Sequence, residues 1–134
     1  MSYYISTTLN GEFAEASDRV EAALKEEGFG IISRIDIRET LKAKIGVDFR
    51  PYLILGACNP KLAHQALQLE DKVGTMLPCN VVVQQLSLGV IEVAAIDPVA
   101  SMQAIDNVAL HEAAREVRRR LSSVIESLAR SLAA

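Results

Sequence analysis

The stretch Tyr52–Val83, YLILGACNPKLAHQALQLEDKVGTMLPCNVVV, holds the clearest run of predicted elements: a strand, a helix and another strand. Tyr52–Ala57 is short, apolar and bounded by prolines, which is typical of a buried strand. Asn59 predicts a helix N-cap, because its side chain can accept from a first-turn amide, and Pro60 suits the first helical position. Val81–Val83 then begins the next predicted strand.

Both cysteines of the chain lie where these elements meet. Cys58 directly precedes the predicted helix, where unpaired amides and the helix dipole favour a thiolate. Cys79 follows Pro78, whose peptide bond to Leu77 is a candidate for the cis form, and leads into the second strand. If the two strands are neighbours, both thiols lie at one edge of the sheet. We therefore predict a ligand-binding site formed by Cys58, Asn59, Pro60, His64, Pro78, Cys79 and Asn80.

The cysteine pair allows three interpretations. Two thiolates can bind a soft metal ion such as Cu(I) or Zn(II), with His64 as the third predicted ligand and Glu70 or Met76 as further local donors. They can instead cycle between dithiol and disulfide. The third interpretation is that both are inert, small apolar core residues. The close C-x-x-C spacing that would favour the metal or thioredoxin interpretation is missing.

Composition restricts the class of protein. A chain of 134 residues, half of them hydrophobic, predicts a single domain over residues 1–134. The net charge of −3 argues against a nucleic-acid binder, which needs clustered positive charge. The first residues lack the pattern of a signal peptide, and no apolar run reaches the roughly 20 residues of a membrane helix. We therefore expect a cytoplasmic protein with reduced thiols and without membrane or nucleic-acid partners.

The remaining sequence alternates strand and helix patterns and ends in a hairpin and a long helix. The hairpin strands Val81–Leu86 and Val90–Ile96 flank a three-residue connection that contains glycine. Lys72–Met76 is expected to be a brief extended segment. The other predicted elements are strands at Tyr3–Thr8 and Phe29–Ile35 and helices at Glu12–Glu27, Asp36–Gly46, Pro60–Leu69 and Asn107–Leu132.

This order of elements predicts an α+β fold, with helices packed on one face of a curved, mainly antiparallel sheet. A doubly wound parallel sheet is the alternative, because strands and helices alternate in the first half. The final helix carries apolar residues alternately four and three positions apart from Leu110 to Leu128. Such a stripe must cover a sheet or a partner subunit, and we expect the chain to form a homodimer.

Three further features offer weaker functional signals. His64 lies away from the apolar stripe of its helix, so it either faces a cleft or is a surface residue. Glu92 stands on a strand with two apolar faces, as either a half-buried general base or an exposed edge residue, and Gln84 and Gln85 on the paired strand could present amides. The basic cluster Arg115–Arg120 indicates a solvated helix face. Motifs of phosphate-binding loops, Ser-His-Asp hydrolases and H-E-x-x-H metalloproteases are missing.

The strings G-A-C-N-P-x-x-A-x-x-A-L, G-x-x-L-P-C-N-V-V-V and A-x-D-P resemble the small bacterial and archaeal proteins of the domain of unknown function 302 family. Their matching positions are Asn59 and Pro60, Leu77 and Pro78, and Asp97 and Pro98. The resemblance implies a fold similar to the TATA-binding-protein-like α+β class and a homodimer. It implies no activity, and other members look as though they lack both cysteines.

The sequence favours a non-enzymatic protein that binds a small molecule at Cys58, Asn59, Pro78 and Cys79. A thiol-redox or soft-metal protein that uses the same cysteines is the second interpretation. A structural dimer with inert cysteines is the third.

Overall fold

The computed structural model describes residues 2–132 and consists of one five-stranded sheet and the helices packed on it. The strands lie in the order β1-β5-β4-β3-β2, and every neighbouring pair is antiparallel. The strands are β1 Tyr4–Asn10, β2 Gly30–Asp36, β3 Tyr52–Cys58, β4 Cys79–Ser87 and β5 Val90–Ile96. The helices are α1 Phe13–Glu26, α2 Ile37–Ile45, α3 Pro60–Leu69, a 3₁₀ helix Asp71–Met76, α4 Pro98–Ser101 and α5 Val108–Leu132.

The predicted α+β fold is confirmed, and the parallel-sheet alternative is wrong. The main core lies between one face of the sheet and helices α1 and α5, whose apolar stripes cover it. Period-two alternation along the strands supplies the sheet side of this core, because inward residues are buried while their neighbours face outward. The sheet residues of this core include Leu9, Leu53, Leu55, Ala57, Val81, Val83, Ile91, Val93 and Ala95.

A smaller apolar cluster lies beside the main core. It is built from α3, the 3₁₀ helix, the chain around α4 and the first turns of α5. Its buried members are Ala66, Val73, Met102, Leu110 and Ala114. Because α5 contributes to both clusters, this one helix connects them along its length.

The prediction of an extended segment at Lys72–Met76 is wrong, since these residues belong to the 3₁₀ helix. The Glu70 side chain accepts from the Lys72 amide at 3.2 Å, and the Thr75 hydroxyl donates to the Lys72 carbonyl at 2.9 Å. Such local side-chain bonds favour a tight turn over an extended backbone. The hairpin connection also differs, because β4 continues to Ser87 and leaves a two-residue turn that ends in Gly89 at φ 79°.

The apolar stripe of the last helix is covered by the chain itself. Leu121, Val124 and Leu128 are buried against the sheet and α1 within the same subunit. The stripe therefore gives no support to the expected homodimer. Within residues 2–132, no helix combines the length and the apolar character that crossing a membrane requires.

Candidate functional site

A cavity of about 40 Å³ lies at the boundary between the two apolar clusters. Its sheet side is the end of β3 and the start of β4, and its other walls are α3, α4 and α5. Four of the predicted site residues meet here: Cys58, Asn59, Pro78 and Cys79. The residues that sequence reasoning missed are Phe29, Ala57, Leu62, Ala63, Ala66, Leu77, Pro98, Met102, Leu110, Ala113, Ala114 and Val117.

The β3–β4 register brings the two cysteines together. Ala57 pairs with Cys79, and Cys58 is the next residue along β3. Strand spacing and rise place the Cα atoms of Cys58 and Cys79 about 6 Å apart, which is within the range of a disulfide. Strand alternation by itself would turn the Cys58 side chain away from Cys79. Cys58 nevertheless lines the same cavity, because it is the last residue of β3, where the chain leaves the sheet for α3.

The start of α3 is fixed as the sequence predicts. The Asn59 side chain accepts from the Leu62 amide at 3.2 Å, and Pro60 occupies the first turn. This cap holds the free amides of α3 next to Cys58. On the other side of the cavity, the Leu77–Pro78 peptide bond is cis, one of the forms expected from the sequence.

The two thiols have different environments. Cys79 is 7% exposed, whereas Cys58 is half-buried. Burial, and secondarily the charge of Cys58, raises the pKa of the Cys79 thiol to about 11. Cys79 is therefore a protonated thiol near neutral pH, and Cys58 is the more accessible of the two cysteines.

Three predicted site residues lie outside the cavity lining. Pro60 is exposed at the first turn of α3, and His64 is an exposed residue of the same helix. Asn80 is exposed on the opposite face of the sheet, because it follows Cys79 directly on β4. Nowhere in residues 2–132 do three His, Cys, Asp or Glu side chains come together as a metal site, so one subunit does not assemble Cys58, Cys79 and His64 around an ion.

The size of the cavity limits what it can hold. About 40 Å³ is room for one or two water-sized groups, whereas pockets for drug-sized ligands have roughly 300–1,000 Å³. The lining is apolar apart from the two thiols and Asn59. A ligand in this space is therefore an ion, or a group of a few atoms attached to sulfur.

One wall of the cavity is held by a buried acidic residue. Asp97 is 5% exposed, and its Oδ1 accepts from the Val99 amide at 2.9 Å, so it caps α4. Its other oxygen, Oδ2, pairs with Arg118 Nε of α5 at 3.2 Å. Asp97 therefore positions Pro98, which lines the cavity, relative to α5. This assigns a structural role to part of the A-x-D-P string.

A second concave region lies on the face of the sheet that α1 and α5 leave open. It is a cleft of about 340 Å³ that contains Glu92, Gln84 and Tyr52. Glu92 is half-buried on β5, which lies between β1 and β4, so the interpretation as an edge residue is wrong. Gln84 donates its amide to Glu92 at 2.9 Å, whereas the sequence suggested that amides of this strand could be presented to a ligand. The contribution of Tyr52 depends on the strand register, which the sequence does not specify.

The fold and the cavity define a small α+β protein with an all-antiparallel open sheet and a thiol-lined cavity where its helices meet the sheet. A family model described as "Domain of unknown function DUF302" matches residues 5–128. The chain belongs to the DUF302 family.

The chain is similar over nearly its whole length to a solved structure. This is the crystal structure of an uncharacterized conserved DUF302 protein from Bacillus stearothermophilus, with 31% sequence identity and a TM-score of 0.86. The match covers 94% of this chain and 98% of that one. The search of curated proteins returned no match for this chain.

Proposed function

We propose that this protein uses Cys58 and Cys79 as a reversible dithiol site. The observation that carries the proposal is that both cysteines line one cavity of about 40 Å³, where they are the only titratable residues of the lining. They are close enough for the charge of Cys58 to contribute to the raised pKa of Cys79. The cavity favours chemistry at sulfur over the binding of an organic metabolite, which needs several times this volume.

The different environments of the thiols suggest an order of events. A hydroperoxide oxidises Cys58: one oxygen passes to its sulfur, and the reduced peroxide leaves as water or an alcohol. The Cys79 thiol then attacks the Cys58 sulfenic acid, and a disulfide forms with loss of water. Cys79 gives up its proton in this step. A thiol reductant returns both cysteines to the reduced form by exchange.

The experiment is a titration of the reduced protein with hydrogen peroxide, followed by intact mass under non-reducing conditions. The proposal predicts a loss of 2 Da, as two hydrogens leave, which dithiothreitol reverses. In Cys79→Ser the mass should instead increase by 16 Da or more at Cys58, or the chain should dimerise through that residue. A protein that keeps both free thiols at peroxide concentrations that oxidise glutathione would contradict the proposal and support the inert interpretation.

The binding of Cu(I) is the second candidate, because the lining offers soft thiol donors and otherwise apolar groups. Such a set suits a soft ion, whereas Zn(II) in a structural site takes four ligands, more than one subunit supplies here. Competition with a Cu(I) chelator under anaerobic conditions should then give one ion per subunit. The site should be lost in Cys79→Ser and unchanged in His64→Ala, because His64 lies outside the cavity lining.

We also propose that the chain forms a homodimer, through the β2–α2 arm, defined as residues 30–47. Within residues 2–132, this arm carries four of the ten large apolar side chains that are exposed. None of the α2 residues is buried, and the exposed large apolar side chains are Ile32 at 64%, Ile35 at 45%, Ile45 at 67% and Val47 at 44%. Apolar surface of this kind marks protein interfaces. A second copy of the chain is the partner expected from the family resemblance.

Light scattering at micromolar concentration tests the dimer. The wild-type protein should have twice the subunit mass, and Ile32→Glu with Ile45→Lys should have the mass of one subunit. Leu88→Glu is the matched control, because Leu88 is 94% exposed in the hairpin turn outside the arm. A wild-type protein with the mass of a single subunit would refute the homodimer.

A further inference from the structure

We propose that the cleft on the open face of the sheet binds an organic cation with a flat apolar body. The cleft is distinct from the cysteine cavity, since it lies on the opposite face of the sheet. Its volume of about 340 Å³ is in the range of small-molecule sites, roughly 300–1,000 Å³. Three tyrosines and one carboxylate contribute to its lining: Tyr3, Tyr4, Tyr52 and Glu92.

The carboxylate of Glu92 is oriented by a chain of hydrogen bonds across two strands. Arg50 donates from Nε to Gln84 Oε1 at 2.8 Å, and Gln84 donates from Nε2 to Glu92 Oε1 at 2.9 Å. Arg50 therefore fixes the orientation of the amide, while the direct partner of Glu92 is a neutral group. Among the ion pairs of residues 2–132, none involves Glu92. A carboxylate whose direct partner is a neutral amide can still pair with the cation of a ligand.

The charge of the lining also selects a cation. Glu92 is the single carboxylate among the lining residues, and neither lysine nor arginine is present there. The guanidinium of Arg50 lies outside the lining, 4.3 Å from the ring centre of Phe49 and 5.7 Å from that of Tyr52. Because Arg50 already lies near the Tyr52 ring, the positive group of a ligand pairs with Glu92, and the tyrosine rings of the lining pack against its flat body.

The strand register gives the cleft a direction. Tyr52, Gln84 and Glu92 form one row across β3, β4 and β5, which is the carboxylate end. Tyr4 pairs with Ile96 at the other end, about 13 Å along β5 from Glu92. Between them the floor is Ala94 beside Val82, and the small alanine leaves room above the sheet. A cationic head therefore fits beside Glu92, and the apolar body extends toward Tyr4.

The test uses phenyltrimethylammonium as the probe, with binding followed by calorimetry and by the chemical shifts of the tyrosine rings. We expect saturable binding in the millimolar range or tighter. Benzoate has a similar flat ring and the opposite charge, and it should not bind. Glu92→Gln keeps the shape and the hydrogen bond of Glu92 and should weaken binding about tenfold. Glu126→Gln, an exposed position on α5, should leave the affinity unchanged.

Ala94→Leu provides a second variant that does not alter charge. It fills the floor of the cleft on the solvent side of the sheet, so the fold should remain intact by circular dichroism and binding should be lost. Absence of saturable binding to the wild-type protein would overturn the proposal. Equal affinity for benzoate, or full affinity in both Glu92→Gln and Ala94→Leu, would overturn it as well. The proposal does not depend on the thiol chemistry, which these variants leave unchanged.

Discussion

Gly56 lies directly against Pro78. A Cβ atom at Gly56 would be 2.7 Å from Cγ of the proline ring, closer than carbon atoms approach in folded proteins, and it would also clash with the Ser33 side chain. The rigid ring cannot rotate away as a long side chain could. Pro78, the residue before Cys79, therefore packs closely against β3 only because Gly56 has no side chain.

Gly56→Ala should consequently destabilise the protein by about 1–3 kcal/mol, as overpacked sites do. The measurement is the free energy of unfolding in urea. Gly74→Ala is the matched control, since a Cβ there meets nothing within 4 Å, and its effect should be within about 0.5 kcal/mol. If the two variants are equally stable, Pro78 can move and the contact does not fix the cavity.

The raised pKa of Cys79 predicts a loss of stability in alkaline solution. The pKa is about 11 in the folded protein, against an ordinary value of 9.0, so the unfolded chain releases this proton first. The contribution of the protonated Cys79 thiol to the free energy of unfolding is therefore complete below pH 9. It decreases by about 2 kcal/mol as the pH rises from 9 to 11.

The check is the free energy of unfolding of wild type and Cys79→Ala at about pH 8 and about pH 11. The variant should lack this part of the alkaline decrease. Cys58→Ala should keep most of it, because burial is the larger cause of the shift and the charge of Cys58 the smaller. Parallel pH curves for wild type and Cys79→Ala would show that Cys79 does not contribute.

Alkylation should distinguish the two thiols. Iodoacetamide is expected to modify Cys58 in the native protein and to spare Cys79, which is 7% exposed and protonated near neutral pH. Peptide mass spectrometry after a short reaction identifies the modified residue. In urea both cysteines should react, which shows that the peptides containing Cys58 and Cys79 are both detected after digestion. Faster modification of Cys79 in the native protein would reverse the roles proposed for the pair.

Asn107 connects the smaller apolar cluster to the start of α5. Its Oδ1 accepts from the Leu110 amide at 3.0 Å, and its Nδ2 donates to the Leu69 carbonyl at 3.1 Å. Asn107→Ala should therefore reduce the free energy of unfolding by about 2 kcal/mol. Asn107→Asp keeps the capping oxygen and should lose about half as much. Asn10→Ala, an exposed position at the end of β1, serves as the control.

Local chemistry made several features of the fold predictable. Asp36 caps α2 through the Glu39 amide at 3.0 Å, and Gly46 ends that helix with φ 67°, as its sequence pattern indicates. Asn59 followed by Pro60 likewise determines the start of α3. These elements were predictable because each interaction spans only a few residues along the chain.

Features that depend on distant parts of the chain were predicted less well. Leu67 is an apolar residue of α3, yet it is 44% exposed, because the smaller cluster covers this helix mainly at Ala66. The residues of α4 and α5 that line the cavity are more than thirty positions from Cys58 along the chain. The sequence around Cys58 therefore does not indicate that they contribute to the cavity. Asn80 is different, since strand alternation alone places it on the face opposite Cys79.

The division of the interior into two apolar clusters has a consequence for motion. The five buried residues of the smaller cluster hold α3, the 3₁₀ helix and the chain around α4 together, without a strand of their own. This unit should open locally at a lower free energy than the sheet, and its amide hydrogens should exchange with solvent first. Because Cys79 lies at the boundary, such an opening would admit water and small oxidants to its thiol while all five strands stay paired.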